Sequence, residues 1–292
     1  MNQTRMDETM NEMINNKYII EKTIGKGQFG IVCKGSHLKT REQIAIKMES
    51  LGSPMKLLKN ETTIINYLST HNVKHIPIVY WYGKYKDHIC TIMPLYECSV
   101  SEYIKLKSLT PSKIYMIMLK TIEIIENVHN NFVIHRDIKP DNIMIRQGEL
   151  YLIDFGFSTF YINEDNKHIP YNEKNMNMLG TPNYVSINIH NGLEATRRDD
   201  MISLGYMFLY LFYEKLPWEN TTNIENQSVY PAIHIYHPKN MKRKELKSIE
   251  HIETLCAEIK PVLWHYIKYC YSLKYDEEPA YKVIKQLLEK TI

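Results

Sequence analysis

The first third of the chain has a strand-rich pattern of apolar and polar residues, and the pattern then changes to a helical spacing. Three stretches, separated by glycine or polar turns, predict strands: Tyr18–Ile24, Phe29–Gly35 and Ile44–Met48. Ser53-Pro54 then predicts the start of a helix, with the serine as cap and the proline at the first helical position. Beyond Met93 the chain is mostly helical, and Thr110-Pro111 begins a long helix that runs to about Asn130. The pattern predicts an α+β protein.

Composition limits the class of protein without defining its function. Of the 292 residues, 44% are apolar and 24% are charged, which suits a globular protein with a large core. A net charge of +3 gives no reason to expect nucleic-acid binding. The five cysteines are scattered, so they offer neither a zinc site nor a disulfide framework and indicate a reducing compartment.

The start of the chain and its most apolar stretch give expectations about location. Residues 1–17 are polar, lack a signal-peptide core, and are expected to be flexible. The stretch Met201–Tyr213 is too short to cross a bilayer and predicts a buried helix. We expect an intracellular protein, cytoplasmic or nuclear, that does not bind membranes directly. Heavy use of Asn, Ile and Lys is typical of AT-rich genomes, and for a viral protein the location would be the host cell.

Three glycines between the first two predicted strands form a candidate phosphate-binding loop. Gly25, Gly27 and Gly30 let the backbone approach phosphate oxygens closely, with N–H groups free to donate. The motif alone is weak, because an ordinary hairpin turn uses the same residues. A Rossmann loop is disfavoured because the segment leads into the strand Ile31–Lys34 and not into a helix.

Lys47 is the second candidate for phosphate binding. Strand alternation puts it on the same face as Ala45, whose small side chain leaves room for a flat base. The alternative is a strand lysine that points into water. Glu61 favours the first interpretation because it falls inside the apolar stripe of the following helix, where a carboxylate needs a cation. That stripe consists of Leu57, Ile64, Ile65 and Leu68.

The segment that follows Val133 carries the residue types that phosphoryl transfer requires. Asp137, Lys139 and Asn142 supply a carboxylate for the incoming hydroxyl, a cation for the developing charge and an oxygen ligand for magnesium. Any one of these residues also fits a charged surface loop.

A hairpin is predicted directly after this loop. The apolar runs at residues 143–145 and 150–153 are joined by Arg146-Gln147-Gly148-Glu149. Antiparallel pairing would bring Asn142, before the first strand, alongside Asp154, after the second. Two oxygen ligands are therefore expected at one end of the hairpin, as a metal–phosphate site requires.

With these motifs and Asp154-Phe155-Gly156, the chain resembles the eukaryotic protein kinases from about Tyr18 to residue 292. The resemblance implies a bilobal protein kinase fold, with a β-rich N-lobe at about residues 18–93, a hinge at 94–97 and a mainly helical C-lobe at 98–292. It also implies ATP and Mg²⁺ as cofactors and protein substrates as partners.

The resemblance further implies the role of each site residue. Asp137 is the expected catalytic base, Lys139 is expected to contact the transferred phosphate, and Thr181 to hydrogen-bond both. Asn142 and Asp154 are the expected magnesium ligands. The residues expected to contact ATP, or to hold those that do, are Ile24, Gly25, Lys26, Gly27, Gln28, Phe29, Gly30, Ile31, Val32, Ala45, Lys47, Glu61, Met93, Pro94, Tyr96 and Met144.

Within the hinge, Met93 is expected to gate the space behind the adenine, and Tyr96 to donate its backbone N–H to the base. Pro94 stands where most relatives carry an acidic residue and would offer only its carbonyl. On the helix after the activation segment, Asp200 is expected to steady the catalytic loop.

The activation segment is similar to that of the casein kinase I group of serine/threonine kinases. No Ala-Pro-Glu closes it; Gly180–Asn188 ends in Ser-Ile-Asn instead, and Arg197–Asp200 follows. His168–Tyr171 and the C-terminal residues 242–292 are also similar to that group. The resemblance implies a preference for serine or threonine near acidic or phosphorylated residues.

Two basic regions are candidates for binding such acidic substrates. Arg197 and Arg198 form one, and Lys242–Lys244 form the other, although the latter also fits a solvated loop or a nuclear-import signal. Arg136 is a candidate for binding an activation-loop phosphate. Casein kinase I relatives are generally active without that phosphate, so we expect a constitutively active monomer.

Two other functions remain as alternatives. A pseudokinase scaffold would be expected to have lost Lys47, Asp137 or Asp154, and all three are present. A small-molecule kinase is disfavoured by the region around Thr181, which resembles a peptide-docking segment.

Overall fold

A computed structural model of the chain describes residues 12–27, 30–171, 175–219, 232–257 and 261–291. The first part is a six-stranded antiparallel sheet in the order β1-β2-β3-β4-β6-β5. Its strands are β1 (Glu12–Ile14), β2 (Tyr18–Gly27), β3 (Gly30–His37), β4 (Gln43–Ser50), β5 (Trp81–Tyr85) and β6 (His88–Pro94). The three predicted strands are confirmed as β2, β3 and β4, each slightly longer than expected, although Phe29 lies outside the described residues.

One face of this sheet has its own small core. Apolar side chains from five of the strands pack together there: Ile14, Tyr18, Ile20, Cys33, Ile44, Ile46, Cys90 and Ile92. Near the other face lies the helix α1 (Leu57–Thr70), whose buried residues include Ile64, Ile65 and Leu68. The sheet therefore carries Lys47 on β4 close to the helix that carries Glu61.

The predicted start of α1 at Ser53-Pro54 is wrong. The helix begins at Leu57, and the Ser53 hydroxyl donates to Met55 O at 2.8 Å in a turn before it. The N–H group of Leu58 is instead satisfied by the Glu49 carboxylate on β4, at 2.8 Å. A residue on the preceding strand, nine positions before Leu58, thus satisfies a donor of the first helical turn, and the cap signals at Ser53-Pro54 do not indicate it.

The expectation of a flexible segment before Tyr18 does not hold for its last residues. Glu12–Ile14 form β1 and pair with Tyr18–Ile20. Ile14 is fully buried, and the Glu12 carboxylate accepts hydrogen bonds from the Tyr85 hydroxyl and the Lys86 ammonium. Residues 1–11 lie outside the described part of the chain.

The second part of the molecule is mainly helical. Its helices are α2 (Val100–Leu106), α3 (Pro111–Asn130), α4 (Ile187–His190), α5 (Arg197–Tyr213), α6 (Pro238–Leu246), α7 (Ile249–Ala257), α8 (Pro261–Ser272) and α9 (Tyr281–Glu289). Thr110 caps α3 by accepting the Lys113 N–H, as its sequence predicted. Helix α5 is buried along nearly its whole length, also as predicted, and α3, α8 and α9 pack around the core.

Short strands and turns, one strand before α2 and the others between α3 and α5, carry the loops of the candidate site. The strands are β7 (Cys98–Ser99), β8 (Val133–Ile134), β9 (Ile143–Arg146), β10 (Glu149–Leu152) and β11 (Thr159–Phe160). The predicted hairpin is confirmed: β9 and β10 pair from Ile143–Leu152 to Arg146–Glu149. The chain passes between the two parts at residues 94–98, where the Glu97 N–H donates to Ile145 O at 2.9 Å.

Among the described residues, no helix is long and apolar enough to span a membrane.

Candidate active site

Lys47 on β4 reaches two carboxylates. Its Nζ lies 2.6 Å from Glu61 Oε1 and 3.4 Å from Asp154 Oδ1. Burial opposes the ammonium charge, but the two carboxylates outweigh it and raise the pKa of Lys47. In turn, the charge of Lys47 lowers the pKa of Asp154. The predicted Lys47–Glu61 contact is confirmed, and it fixes the direction of the lysine.

The loop between β8 and β9 holds a compact cluster of polar groups. Asp137 Oδ1 accepts the backbone N–H of Thr181 at 2.9 Å and its hydroxyl at 2.7 Å. Lys139 Nζ donates to Asp137 Oδ2 at 2.7 Å and to Thr181 Oγ1 at 2.8 Å. The Asp137 residue is only 5% exposed, so these donors determine the position of its carboxylate. The predicted contacts among the three residues are confirmed.

Asn142 and Asp154 lie side by side at the open end of the hairpin. The Ile153 N–H donates to Asn142 O at 2.9 Å, which puts Asp154 next to Asn142. The Asn142 amide nitrogen donates to Asp137 O and Oδ2, so its oxygen is the atom that remains for a cation. The chain turns sharply here, since Asp154 has a φ of 68° in the left-handed region.

The side-chain oxygens of Asn142 and Asp154 fit a magnesium ion that is shared with a nucleotide. Within the described ranges there is no group of three or more His, Cys, Asp or Glu side chains that could hold a metal by themselves. Magnesium prefers oxygen ligands and is commonly bound by one or two protein groups together with substrate phosphates. Asn142 and Asp154 match that requirement.

Asp200 on α5 binds the backbone of the loop between β8 and β9. Its carboxylate accepts the backbone N–H groups of His135 at 2.7 Å and Arg136 at 2.8 Å, and Nε2 of His129 lies 2.9 Å away. Burial would raise the pKa of Asp200, but these hydrogen bonds and the nearby histidines give a net lowering. Arg136 has a φ of 68°, so this anchor stabilises a strained backbone position.

The glycine-rich segment is the tip of the β2–β3 hairpin. Gly25 pairs with Val32, Lys26 with Ile31 and Gly27 with Gly30. At Gly30 the φ is +150°, and a Cβ there would lie 2.2 Å from Met48 O, so only glycine fits. Of the other residues predicted for this loop, Ile24 is 48% exposed on β2, while Gln28 and Phe29 lie outside the described residues.

The predicted adenine-binding residues come together on neighbouring strands. Ala45 pairs with Met93, and Ile44 pairs with Pro94, in the β4–β6 ladder. Ala45 and Met93 are both buried. Met144, on β9, belongs to a different sheet from β4 and pairs with Tyr151 on β10 and with Ser99 on β7. Pro94 ends β6, where its missing N–H does not interrupt the strand pairing.

Tyr96 lies just beyond β6 in the segment that joins the two parts. Its neighbours are held by backbone hydrogen bonds: the Leu95 N–H donates to Gln43 O and the Glu97 N–H to Ile145 O. Within the part of the chain that the structure describes, no backbone carbonyl outside the strand and helix ladders accepts the Tyr96 N–H. Its donation to the adenine stays a prediction.

The role of the Ser-Ile-Asn segment (residues 186–188) was not predicted from the sequence. The Ser186 hydroxyl and the Asn188 amide donate to Asp199 Oδ1 at 2.5 and 2.9 Å, while the Thr196 N–H donates to Oδ2. Asp199 is 3% exposed. The two aspartates of Arg-Arg-Asp-Asp thus have different tasks: Asp199 binds the end of the activation segment, and Asp200 binds the catalytic loop.

The contact between α1 and the Asp-Phe-Gly segment was also missed. The Asn60 amide nitrogen donates to Gly156 O at 3.0 Å and to Ser158 O at 2.9 Å. A single side chain therefore joins the helix that holds Glu61 to the turn that holds Asp154. No local sequence pattern marks Asn60, because its partners lie about 96–98 positions away.

The expectation that Arg197 and Arg198 form an anion-binding surface is wrong. Their side chains are only 12% and 11% exposed. Arg197 stacks on Tyr161 at 4.7 Å and donates to Asp276 O, and Arg198 donates to Leu273 O. Both guanidinium groups stabilise the fold.

The family model of the protein kinase domain matches residues 18–292, which is nearly the whole chain. The chain therefore belongs to the protein kinase family and has the bilobal fold of that family. Membership implies phosphate transfer from ATP, typically with Mg²⁺, to protein substrates.

Proposed function

We propose that this protein is a serine/threonine kinase of the casein kinase I type. The observation that carries this proposal is the cluster in which Thr181 and Lys139 hold Asp137 in place. Lys139 stands in the sequence Asp-x-Lys-Pro-x-Asn, which resembles the serine/threonine class. The Ser-Ile-Asn segment bound by Asp199 resembles casein kinase I.

In the proposed reaction, each residue acts on a defined atom. Asp137 orients the hydroxyl of the protein substrate and accepts its proton through the carboxylate. Thr181 keeps that carboxylate in one orientation, and Lys139 stabilises negative charge on the transferred phosphate. Asn142 and Asp154 would hold Mg²⁺, and the bound ion would neutralise negative charge on the phosphates.

The nucleotide is proposed to lie between the two lobes. Lys47, held by Glu61, binds the α- and β-phosphates, and the backbone of Gly25–Gly30 covers them. Ala45 and Met93 contact the adenine, and the Tyr96 N–H donates to it. The pairing of these strands supports this placement, because it brings small and apolar side chains together beside the hinge.

Radiolabel transfer from ATP tests the proposed activity. The wild-type chain should label casein and serine or threonine peptides, while matched peptides with tyrosine as the acceptor should remain unlabelled. Asp137→Asn should abolish the transfer while Mg-nucleotide binding, measured by thermal shift, is retained. Efficient tyrosine labelling would contradict the serine/threonine assignment, and transfer that survives Asp137→Asn would contradict the mechanism.

The proposed substrates carry acidic or phosphorylated residues near the acceptor. Support comes from α6, where Arg243 Nε donates to Asn183 Oδ1 at 3.0 Å and so brings the basic segment 242–244 next to the activation segment. Lys244 is exposed on the same helix. Peptide sets that differ only in acidic, phosphorylated or basic neighbours test this preference. Lys244→Glu should weaken any preference for acidic peptides, and a preference for basic peptides in the wild type would overturn the proposal.

The protein is further proposed to be active without phosphorylation of the activation segment. Backbone hydrogen bonds already hold that segment: Met178 N–H donates to Ile233 O, Ile235 N–H to Met176 O, and Asn175 N–H to Gly192 O. Protein treated with a phosphatase should keep its activity. A loss of activity that only a second kinase restores would contradict this.

A further inference from the structure

A fully buried lysine lies in the C-lobe, far along the chain from the residues of the active site. Lys247 follows α6 and is 0% exposed. Buried lysines are rare, because the amine loses its hydration and needs protein partners in return. The identity of those partners indicates what the residue does.

The polar atoms within hydrogen-bond distance of Lys247 Nζ all belong to residues 182–190. Its Nζ donates to Pro182 O at 2.9 Å and to Val185 O at 2.8 Å, and it lies 3.1 Å from Nε2 of His190. An ammonium group has three N–H donors, so three acceptors satisfy it. Among the described residues, no carboxylate forms an ion pair with Lys247.

Aromatic rings enclose the amine on its other sides. The Tyr206 ring centre lies 4.8 Å from Nζ, and the Trp218 ring centre lies 5.3 Å from it. Both rings are fully buried, which excludes water and strengthens the hydrogen bonds to the two carbonyls. The Tyr271 hydroxyl also donates to Lys247 O, so the backbone of the lysine is fixed as well.

Two further residues bind the same stretch, one through a backbone carbonyl and one through a side chain. Trp218 Nε1 donates to Asn183 O at 2.8 Å, and Arg243 Nε donates to Asn183 Oδ1. The carbonyls of Pro182, Asn183 and Val185 are thus all bound by side chains that lie more than 30 positions later in the chain. At its other end this stretch begins with Thr181, which contacts Asp137.

We propose that Lys247 is a positioning residue for the protein substrate. It holds the segment 181–185, here named the docking loop, at a fixed distance from Asp137 by binding its carbonyls. The proposal rests on the proposed function, in which this loop receives the substrate chain. Among the described residues assigned to the nucleotide, none contacts Lys247, so its removal should affect the substrate and leave ATP binding intact.

Replacement of Lys247 by methionine tests the proposal. Lys247→Met keeps the volume of the side chain and removes the donors, which leaves two buried carbonyls unsatisfied. We expect the KM for a serine peptide to rise by about tenfold or more, as for the loss of buried hydrogen bonds. The KM for ATP and the thermal shift produced by Mg-ATP should change by less than about twofold. Lys282→Met, on the exposed face of α9, serves as the matched control.

A second variant keeps the test valid if Lys247→Met folds poorly. Trp218→Phe keeps an aromatic ring in the core but removes the donor to Asn183 O together with part of the buried indole, and it should raise the peptide KM in the same selective way. Equal losses in ATP and peptide affinity in the two variants would reveal general damage and overturn the proposal. An unchanged peptide KM would overturn it too.

Peptide binding measured by fluorescence anisotropy separates this proposal from the proposed function. If the wild type binds a serine peptide but transfers no phosphate to it, the proposed activity is wrong. The docking proposal is then still judged by whether Lys247→Met weakens the binding of that peptide relative to Lys282→Met.

Discussion

Thr181 and Asp137 are joined by two hydrogen bonds that end on the same oxygen atom. Both the backbone N–H and the hydroxyl of Thr181 donate to Asp137 Oδ1. The carboxylate is thereby prevented from rotating, and Oδ2 is left for Lys139 and Asn142. The activation segment and the catalytic loop are thus joined at the residue on which the proposed chemistry depends.

Removal of the Thr181 hydroxyl should reduce turnover more than binding. Thr181→Val keeps the backbone N–H bond and the size of the side chain but loses the contacts to Asp137 and Lys139. We expect kcat to fall by about tenfold or more, since a group that is misplaced near the reacting atoms reduces the rate strongly. Steady-state kinetics with a serine peptide measure this. Thr63→Val on the exposed face of α1 is the control, and a change confined to the KM for ATP would contradict the prediction.

Neutralisation of Glu61 should weaken ATP binding. Glu61→Gln removes the charge that pairs with Lys47 at 2.6 Å, so Lys47 would turn towards Asp154 and away from the phosphates. Loss of one partner from a buried ion pair is strongly unfavourable, and we expect the KM for ATP to rise by about tenfold. Glu253→Gln, which is exposed on α7, should change nothing. Identical ATP kinetics in the wild type and Glu61→Gln would refute the role of the pair.

Asn60 should contribute to both stability and rate. Asn60→Ala leaves the carbonyls of Gly156 and Ser158 without their side-chain donor, at a cost of about 1–3 kcal/mol in the free energy of unfolding. Because the same contact joins α1 to the Asp-Phe-Gly turn, kcat should fall as well. Urea denaturation and peptide kinetics measure the two effects, with the exposed neighbour Lys59→Ala as control. Full activity in Asn60→Ala would show that the contact does not hold the active arrangement.

Acidification should destabilise the folded protein. Burial lowers the pKa of His135 below its ordinary value of 6.5, with partial opposition from Asp200 and Asp137. Burial also lowers the pKa of His190, and the charges of Lys247 and Arg243 add to the effect. Below pH 6.5 the unfolded chain takes up protons that the folded state does not, so the free energy of unfolding decreases as the pH falls.

The midpoint of urea denaturation should therefore decrease between about pH 7 and about pH 5.5. His190→Gln should reduce this dependence, whereas His265→Gln on the exposed side of α8 should leave it unchanged. A midpoint that stays constant over this range, or the same slope in wild type and His190→Gln, would contradict the assignment.

Much of the fold was predictable where the determining residues are close together in the sequence. Thr110 and Pro111 specify the start of α3 through their own side chains, and the structure confirms it. The apolar runs of β9 and β10, with the short turn between them, likewise determine their hairpin and bring Asn142 beside Asp154. Ser53-Pro54 does not begin α1 as predicted, because the Glu49 carboxylate on β4 accepts the Leu58 N–H at the start of that helix.

In the candidate site too, contacts between motif residues were predictable, whereas contacts that depend on tertiary packing were not. Lys47, Asp137 and Asp154 belong to motifs with a chemical reason for each residue type, so their contacts were predictable. Asn60 and Lys247 have no such motif, and their importance depends on carbonyl groups that tertiary packing brings to them. Arg197 and Arg198 illustrate the opposite error: their charge suggested an anion-binding surface, but packing against Tyr161 and Tyr275 uses both side chains.

The edge strand β1 has a practical consequence for how the domain is delimited. The family match begins at Tyr18, yet Ile14 fills the core of the sheet and Glu12 is bound to Tyr85 and Lys86. A shortened chain that starts at Tyr18 would leave Tyr18–Ile20 at the start of β2 without their strand partners and would remove Ile14 from the core. Bare strand edges invite pairing between molecules, so such a truncation would promote aggregation and lower the yield of folded enzyme.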